Sequence, residues 1–441
     1  MPTSTGGFFS GFRTMGYFGS ANYSMDGRYI INGILRYDYS SRFGVNQRWG
    51  LFPGVKVAWN IDKENFMASQ KTFNQLRLRA SWGQSGNDQI GNFDGLGLYG
   101  SGAVYNGAAG INFSQLANPD LKWEVAEISN VGLDFAMFKS RVTASIEVYR
   151  KLTKDALLNL PVQQTSGFSS YTANVGSLEN KGIELTIGGD IIRPRNSDGL
   201  KWNTNFVFAY NRNKVLSLYS GLQELPGDPS THVGRSIGSI FTQRYAGVNP
   251  ATGRPMFYDS LNNLTYQTQL RDRVYLGDNQ PEFTGGWNNS FKYKGFTLDG
   301  FFQYEFGRIA SDGQINFLIE NLSRFNSLQD LYDKRWTTPG QITSFPRQNA
   351  NGSESKGSGS LSGDRTNFKA DYIRLKNITL SYDLPASVYN RLHLNSAQFY
   401  ISGTNLYTFS DVYSYDVEFF GTATGIIPQT KQFTVGVQVG F

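Results

Sequence analysis

Period-2 alternation of apolar and polar residues, repeated in segments of about ten residues, constrains this chain more than any other feature. An extended strand turns successive side chains to opposite faces, so each segment is apolar on one side and polar on the other. Leu76, Leu78, Ala80 and Trp82 share one face, and Arg77, Arg79 and Ser81 the other. Val55, Val57 and Trp59 alternate with Lys56, Ala58 and Asn60. Trp202, Thr204, Phe206, Phe208 and Tyr210 alternate with Asn203, Asn205, Val207, Ala209 and Asn211. About ten residues is the length a tilted strand needs to cross a bilayer. Two arginines on one face require water, and aromatics at both ends of a face fit the interfacial girdles of a transmembrane barrel.

No stretch approaches 18 consecutive apolar residues, so no membrane helix is expected. That leaves a strand-built membrane protein open, because alternating strands average to a polar sequence while one face stays apolar. The 15% aromatic content and 49 glycines are unusual for a soluble domain. A formal net charge of +6, scattered through the strands, argues against a nucleic-acid surface. The absence of cysteine excludes disulfides and thiolate metal sites. Met1 to Arg13 lacks the features of a signal peptide, so either an upstream segment is expected or export is otherwise arranged.

Strands are read near residues 17–25, 28–38, 52–60, 76–84, 128–138, 141–151, 182–190, 202–212, 236–247, 254–258, 283–293, 296–306, 371–382, 397–405 and 432–441. That is roughly 15 strands, with boundaries uncertain by a few residues. Asp26-Gly27, Lys139-Ser140 and Lys294-Gly295 mark short turns. Residues 85–127, 152–181, 307–370 and 406–431 read as long polar connections, one of them carrying the Gly/Ser-rich run Ser353 to Ser360. Short turns on one side and long loops on the other are the asymmetry of outer-membrane barrels. The first strand and the last both run toward the short-turn side, so the count is odd where single-chain bacterial barrels are even. Residues 1–441 are therefore expected to be the carboxy-terminal part of a longer barrel, beginning within an external loop, with no separate soluble domain. The final strand is the most specific element: Phe433, Val435, Val437, Val439 and Phe441 alternate with Thr434, Gly436, Gln438 and Gly440. Outer-membrane proteins resemble one another in this closing segment, which the barrel assembly machinery reads.

Longer motifs resemble those of the SusC-like (SusC/RagA) family of TonB-dependent outer-membrane transporters. They are Tyr39 to Gly44 (YSSRFG), Asn118 to Glu124 (NPDLKWE) with Asn130 to Phe135 (NVGLDF), and Leu157 to Pro161 (LLNLP) with Ser166 to Phe168 (SGF). Asn174 to Gly176 (NVG), Glu179 to Leu185 (ENKGIEL), Ala370 to Tyr382 (ADYIRLKNITLSY) and Ser402 to Leu406 (SGTNL) complete the set. The resemblance implies an all-β, transmembrane antiparallel barrel of the 22-stranded, plugged-lumen type, of which this chain supplies about 15 strands and not the plug. It implies residence in the outer membrane of a Gram-negative bacterium and TonB-dependent uptake of an oligosaccharide or peptide. Its implied partners are a SusD-like surface lipoprotein, TonB acting through the missing plug, the barrel assembly machinery and outer-membrane lipid. A passive porin or adhesive surface barrel is the alternative.

A transport role predicts neither a cofactor nor a catalytic constellation. His232 and His393 lie far apart, outside any metal spacing. Gly95-Leu-Gly97-Leu-Tyr-Gly100 formally matches a dinucleotide fingerprint but lacks the strand, helix and βαβ context that the motif needs. Asp88, Asp94, Asp411, Asp416 and Glu418 match no recognised calcium loop and read as a solvated loop face. Loop aromatics can stack on sugar rings or pack loops together; Trp123, Phe168, Tyr171, Tyr413 and Tyr415 are the candidates for substrate contact, among others that include Tyr99 and Phe113.

Overall fold

A computed structural model describes residues 10–196, 199–226, 228–313, 328–347, 363–412, 416–419 and 427–441. Among the described residues, thirteen long strands follow one another in chain order as sheet strands. They are β1 (Thr14–Met25), β2 (Tyr29–Ser40), β3 (Trp49–Asn60), β4 (Phe73–Asn87), β5 (Glu124–Met137), β6 (Val142–Lys154) and β7 (Gly176–Ile192). β8 (Lys201–Leu218), β9 (Phe283–Tyr293), β10 (Phe296–Phe306), β11 (Tyr372–Asp383), β12 (Ser396–Ser410) and β13 (Gln432–Gly440) follow. The chain divides into two compact units, Met1–Ile187 with Asn211–Ile237, and Gly188–Tyr210 with Gly238–Phe441.

In the first unit β1 to β6 pair antiparallel in unbroken succession. Register puts Tyr29, Ile31, Leu35 and Tyr37 of β2 beside Trp59, Val57, Pro53 and Leu51 of β3. This face is apolar yet exposed: Ile31 is 50% and Leu51 54% accessible. It ends in rings at both margins, with Tyr37 stacked on Trp49 at 4.5 Å at one end and Tyr29 on Trp59 at 6.4 Å at the other. Eight residues separate Tyr29 from Tyr37, roughly 27 Å at about 3.4 Å per residue. Once tilted, that spacing is of the order of the about 25 Å apolar band of a membrane barrel. The opposite face carries Lys56, Arg77, Arg79, Ser81, Asn130, Asp134 and Glu147, aligned by the same registers.

The second unit repeats the division. Phe399, Ile401, Phe433, Val435, Val437, Val439 and Phe441 lie exposed on one face, and Val435 is 77% accessible. Thr434, Gly436 and Gln438 face the other way opposite Ser402, Tyr400 and Gln398. Trp202 stacks with Phe291 at 5.4 Å and Phe296 with Tyr382 at 4.5 Å at one margin, while Tyr210 meets Phe283 at 5.1 Å at the other.

Two tight turns follow the sequence reading. Asp26-Gly27 and Lys294-Gly295 both take positive φ at each position, 52 and 63° in one, 47 and 82° in the other. That is the mirror-image turn that matches strand twist, and glycine enters the left-handed region at little steric cost. At Lys139-Ser140 the turn is wider, because Phe138 joins them at φ 55°.

Two expected strands are not part of the sheet. Within 236–247 and 254–258, Ser239–Gln243 pairs with Arg273–Asp278, while Tyr245–Val248 pairs with Pro255–Tyr258, which in turn pairs with Leu264–Thr265. These pieces are 4 to 6 residues long or shorter, and register shifts break them at Ile240/Phe241 and Tyr245/Gly247. A bilayer-crossing strand needs about nine or more residues. Their apolar residues are also buried where a lipid-facing residue would be exposed, with Phe257 at 0% and Val248 at 6%. They build a folded connection after β8. The long connections at 85–127 and 152–181 hold hairpins of their own, Leu98–Tyr105 with Ala108–Gln115 and Leu157–Pro161 with Ser170–Asn174. The Ser353 to Ser360 run lies outside the described residues.

Candidate functional site

The longer motifs of the first unit converge at the long-loop end of the sheet. Gly44 donates its amide to the Leu121 carbonyl at 2.9 Å. A Cβ at Gly44 would lie 1.8 Å from the Pro119 carbonyl oxygen, so only glycine allows this approach. Beside it Phe43, Phe52, Leu121 and Trp123 form a buried cluster, with the Phe43 and Trp123 rings 4.7 Å apart. The Trp123 indole N–H donates to the Arg48 carbonyl at 3.1 Å, so its burial leaves no orphan donor. Asn174 substitutes for a strand rung: its side chain accepts from the Lys122 amide and donates to the carbonyls of Lys122 and Asp155, at 2.8 to 3.0 Å. Asn118 donates to Thr172 O and Glu124 accepts from the Leu157 amide. Motifs separated by more than a hundred residues thus close into one platform that seats two loops on the wall.

The second unit solves the same problem with charge. Arg374 of β11 has its side chain 6% exposed and binds Asp416 Oδ1 at 3.0 Å, Glu418 Oε1 at 2.8 Å and Thr408 Oγ1 at 2.8 Å. Lys376 sits at a bulge in β11 and reaches Glu418 Oε2 at 2.6 Å and Gln429 Oε1 at 3.1 Å. Arg308, 2% exposed, donates to the carbonyls of Val417 and Phe419. The connection between β12 and β13 is thereby fastened to the wall by three cations. Burial pushes the Asp416 carboxyl up, but amide hydrogen bonds from Glu418 and Gln429 and the Arg374 guanidinium outweigh it and hold the acid below the usual range.

Asp416 and Glu418 are therefore not a solvated face; wall cations some 40 residues away in sequence occupy them. Asp88 likewise accepts from Ser40 Oγ at 2.9 Å and pairs with Arg42, and Asp94 accepts from Gly91 N and Thr172 Oγ1. The signal for the clamp was present in the sequence as Arg374 and Lys376, two cations inside a wall strand, each in need of an anion.

Of the substrate-contact candidates, Trp123 is only 9% exposed and is used in packing. Tyr171 is half-buried against Leu160, Ala173 and Val175, and Phe168 is half-buried just before that short strand. Tyr413 and Tyr415 lie outside the described residues. Among the exposed loop rings are Tyr99 and Phe113, 67% and 59% accessible and 4.4 Å apart across their hairpin. His232 lies on a short loop strand and His393 ends a 3-10 turn. Among the described residues no three His, Asp or Glu side chains group as metal ligands.

A family model described as TonB dependent receptor-like, beta-barrel, matches residues 2–322. The chain belongs to that family. It is 30% identical over 480 residues to TonB-dependent receptor P39 of Formosa agariphila, covering 95% of this chain and 45% of the relative. TonB-dependent receptor SusC of Bacteroides thetaiotaomicron is 34% identical over 216 residues, 46% of this chain and 21% of the relative. Among solved structures, the RagAB peptide transporter superposes with a TM-score of 0.86 at 28% identity, covering 98% of this chain and 48% of the matched chain. The chain thus spans about half the length of the relatives it matches. As part of a receptor barrel in the outer membrane, its exposed apolar face meets lipid, its polar face meets the lumen, and its long loops lie outside the cell.

Proposed function

We propose that this chain is the wall portion of an active importer that brings a bulky nutrient, an oligosaccharide or peptide, through the outer membrane under TonB control. The observation that carries this reading is the whole-chain likeness to a solved peptide transporter, together with loops fastened firmly at their external end. A barrel wall does no chemistry; its role is to enclose a polar path and hold the loops in place. Energy would come from TonB through a plug in the lumen, and a SusD-like lipoprotein would cover the external loops. Such a component needs no cofactor and no catalytic residue. Tyr99 and Phe113, exposed on an external hairpin, are better placed than Trp123 to meet a sugar ring or the lipoprotein, since stacking needs an open face. The alternating terminal strand Phe433, Val435, Val437, Val439 and Phe441 serves as the assembly signal.

The test is growth of cells that carry the full-length receptor on defined peptides or oligosaccharides as the sole nutrient source. Uptake lost on deletion of the receptor, and lost equally on deletion of TonB, supports active import. Uptake that persists without TonB and rises linearly with concentration would instead identify a passive pore.

A further inference from the structure

The polar face of the first unit carries a concavity of about 470 Å³, within the range of small-ligand sites. Its floor is ordered by register. Asn22, Asn32, Lys56, Ser81 and Asn130 occupy one row across β1 to β5. In the next row toward the short turns, Ala58 faces Arg79, and Arg79 faces Gly132. Ala58 and Gly132 leave the space open. Arg79 lies against Gly132, where a Cβ would come within 2.6 Å of its guanidinium carbon.

The charges are unequally used. Arg79 pairs with Asp134 at 3.1 Å and with Glu147, and donates to Ser145 Oγ at 3.4 Å. Both carboxylates are committed to that one cation. Lys56 and Arg77 line the same concavity, and among the described residues their side chains have no hydrogen-bond or ion-pair partner. Arg77 Nε is moreover buried without an acceptor. Three cations and two carboxylates leave one positive charge in surplus, and Arg77 Nε is the buried donor among them that nothing satisfies. In the second unit, by contrast, Arg374, Lys376 and Arg308 are all matched, by carboxylates and carbonyls of the connection between β12 and β13. A buried guanidinium donor without an acceptor is costly, and an oxyanion there would satisfy it and offset the surplus charge that Lys56 adds to the same concavity.

We propose that this concavity is an anion site that takes one carboxylate or sulfate group between Lys56 and Arg77. Asn60, the last residue of β3, faces Arg77, so the site lies toward the short-turn end, away from the external loops. Amides at Asn22, Asn32 and Asn130 offer donors and acceptors to neutral groups flanking the anion. The oxyanion comes either from an acidic side chain of the rest of the receptor seated in the lumen or from an anionic solute on its way through. The site does not depend on which nutrient is imported.

The experiment uses the full-length receptor in detergent, wild type against Lys56→Gln/Arg77→Gln, with folding verified by heat-modifiable migration. In one arm galacturonate and glucose 6-sulfate are titrated calorimetrically, with glucose as the neutral control. In the other, limited proteolysis follows release of the non-wall part of the receptor. A solute source predicts binding of the charged probes to wild type, weakened at least tenfold in the double variant. An intramolecular source predicts no probe binding but proteolytic release at least tenfold faster in the variant, an effect that added salt reproduces in wild type. Either result supports the site; no change in both arms overturns it. Lys56→Arg keeps the charge and is expected to behave as wild type, so a loss equal to that of Lys56→Gln would also overturn it. If the double variant fails to fold, Lys56→Gln alone is read in the same two arms, since Lys56 is exposed and its amide variant perturbs no packing.

Discussion

Trp123 illustrates what a single residue's surroundings decide. Its sequence context permits a sugar platform or a packing ring, and the contact with Phe43 and the bond to Arg48 O make it the second. Trp123→Ala is expected to lower the receptor's unfolding free energy by about 3 kcal/mol or more, the usual cost of emptying a buried aromatic site. Urea unfolding in lipid vesicles would measure it, and a change below 1 kcal/mol would show that the ring is not a core element. Gly44→Ala, which drives a methyl into the Pro119 carbonyl, is expected to cost about 1–3 kcal/mol and to speed proteolysis of the following loop. Arg374→Gln strips Asp416 and Glu418 of their shared guanidinium; losing one partner of a buried pair typically costs about 3–5 kcal/mol. Asp416 also carries a pH dependence. Its folded-state acidity is stronger than in the unfolded chain, so its stabilisation is complete above the ordinary carboxylate pKa of about 4 and is lost as pH falls through the lower folded value. Hydrogen exchange at residues 416–419, corrected for intrinsic rates, should stay level from pH 7 to 5 and rise only below about pH 4. A rise already at pH 6 would exclude Asp416 as its cause.

At the scale of elements, the wall strands were legible because bilayer and lumen impose a period of two over many residues. Strand β13 is the clearest case, since each of its apolar residues in the sequence pattern is exposed on one face. Phe441→Asp is expected to reduce assembled receptor in the outer membrane several-fold, measured as heat-modifiable protein; wild-type levels would show that the terminal ring is dispensable. The reading failed where alternation was short. The pieces at Ser239–Gln243 and Pro255–Tyr258 are short runs with apolar centres that a folded loop buries or half-buries, and so short a run looks the same whether protein or lipid covers it. Strand ends were also underread: β12 continues past a bulge where Asn405 takes φ 54°, which breaks the period without ending the strand. The loop platform and the Arg374 clamp depend on contacts between residues far apart in sequence, which no local pattern encodes. Family motifs marked their positions without revealing that they touch.

For the whole molecule, one assignment is central: the exposed apolar face of the sheet meets lipid and the polar face meets the receptor lumen. The chain has no cysteine, which makes the assignment directly measurable. Single cysteines placed at Leu380, Ile401 and Val435, which form one row across β11 to β13, and at Thr379, Ser402 and Thr434, the adjacent row, sample the two faces at equal depth. Each is labelled with an environment-sensitive fluorophore in the full-length receptor reconstituted in lipid. The first three are expected to be quenched by a lipid-soluble quencher and shielded from an aqueous one, and the second three to show no quenching by the lipid-soluble probe. Equal quenching of both rows by either probe would contradict the assignment.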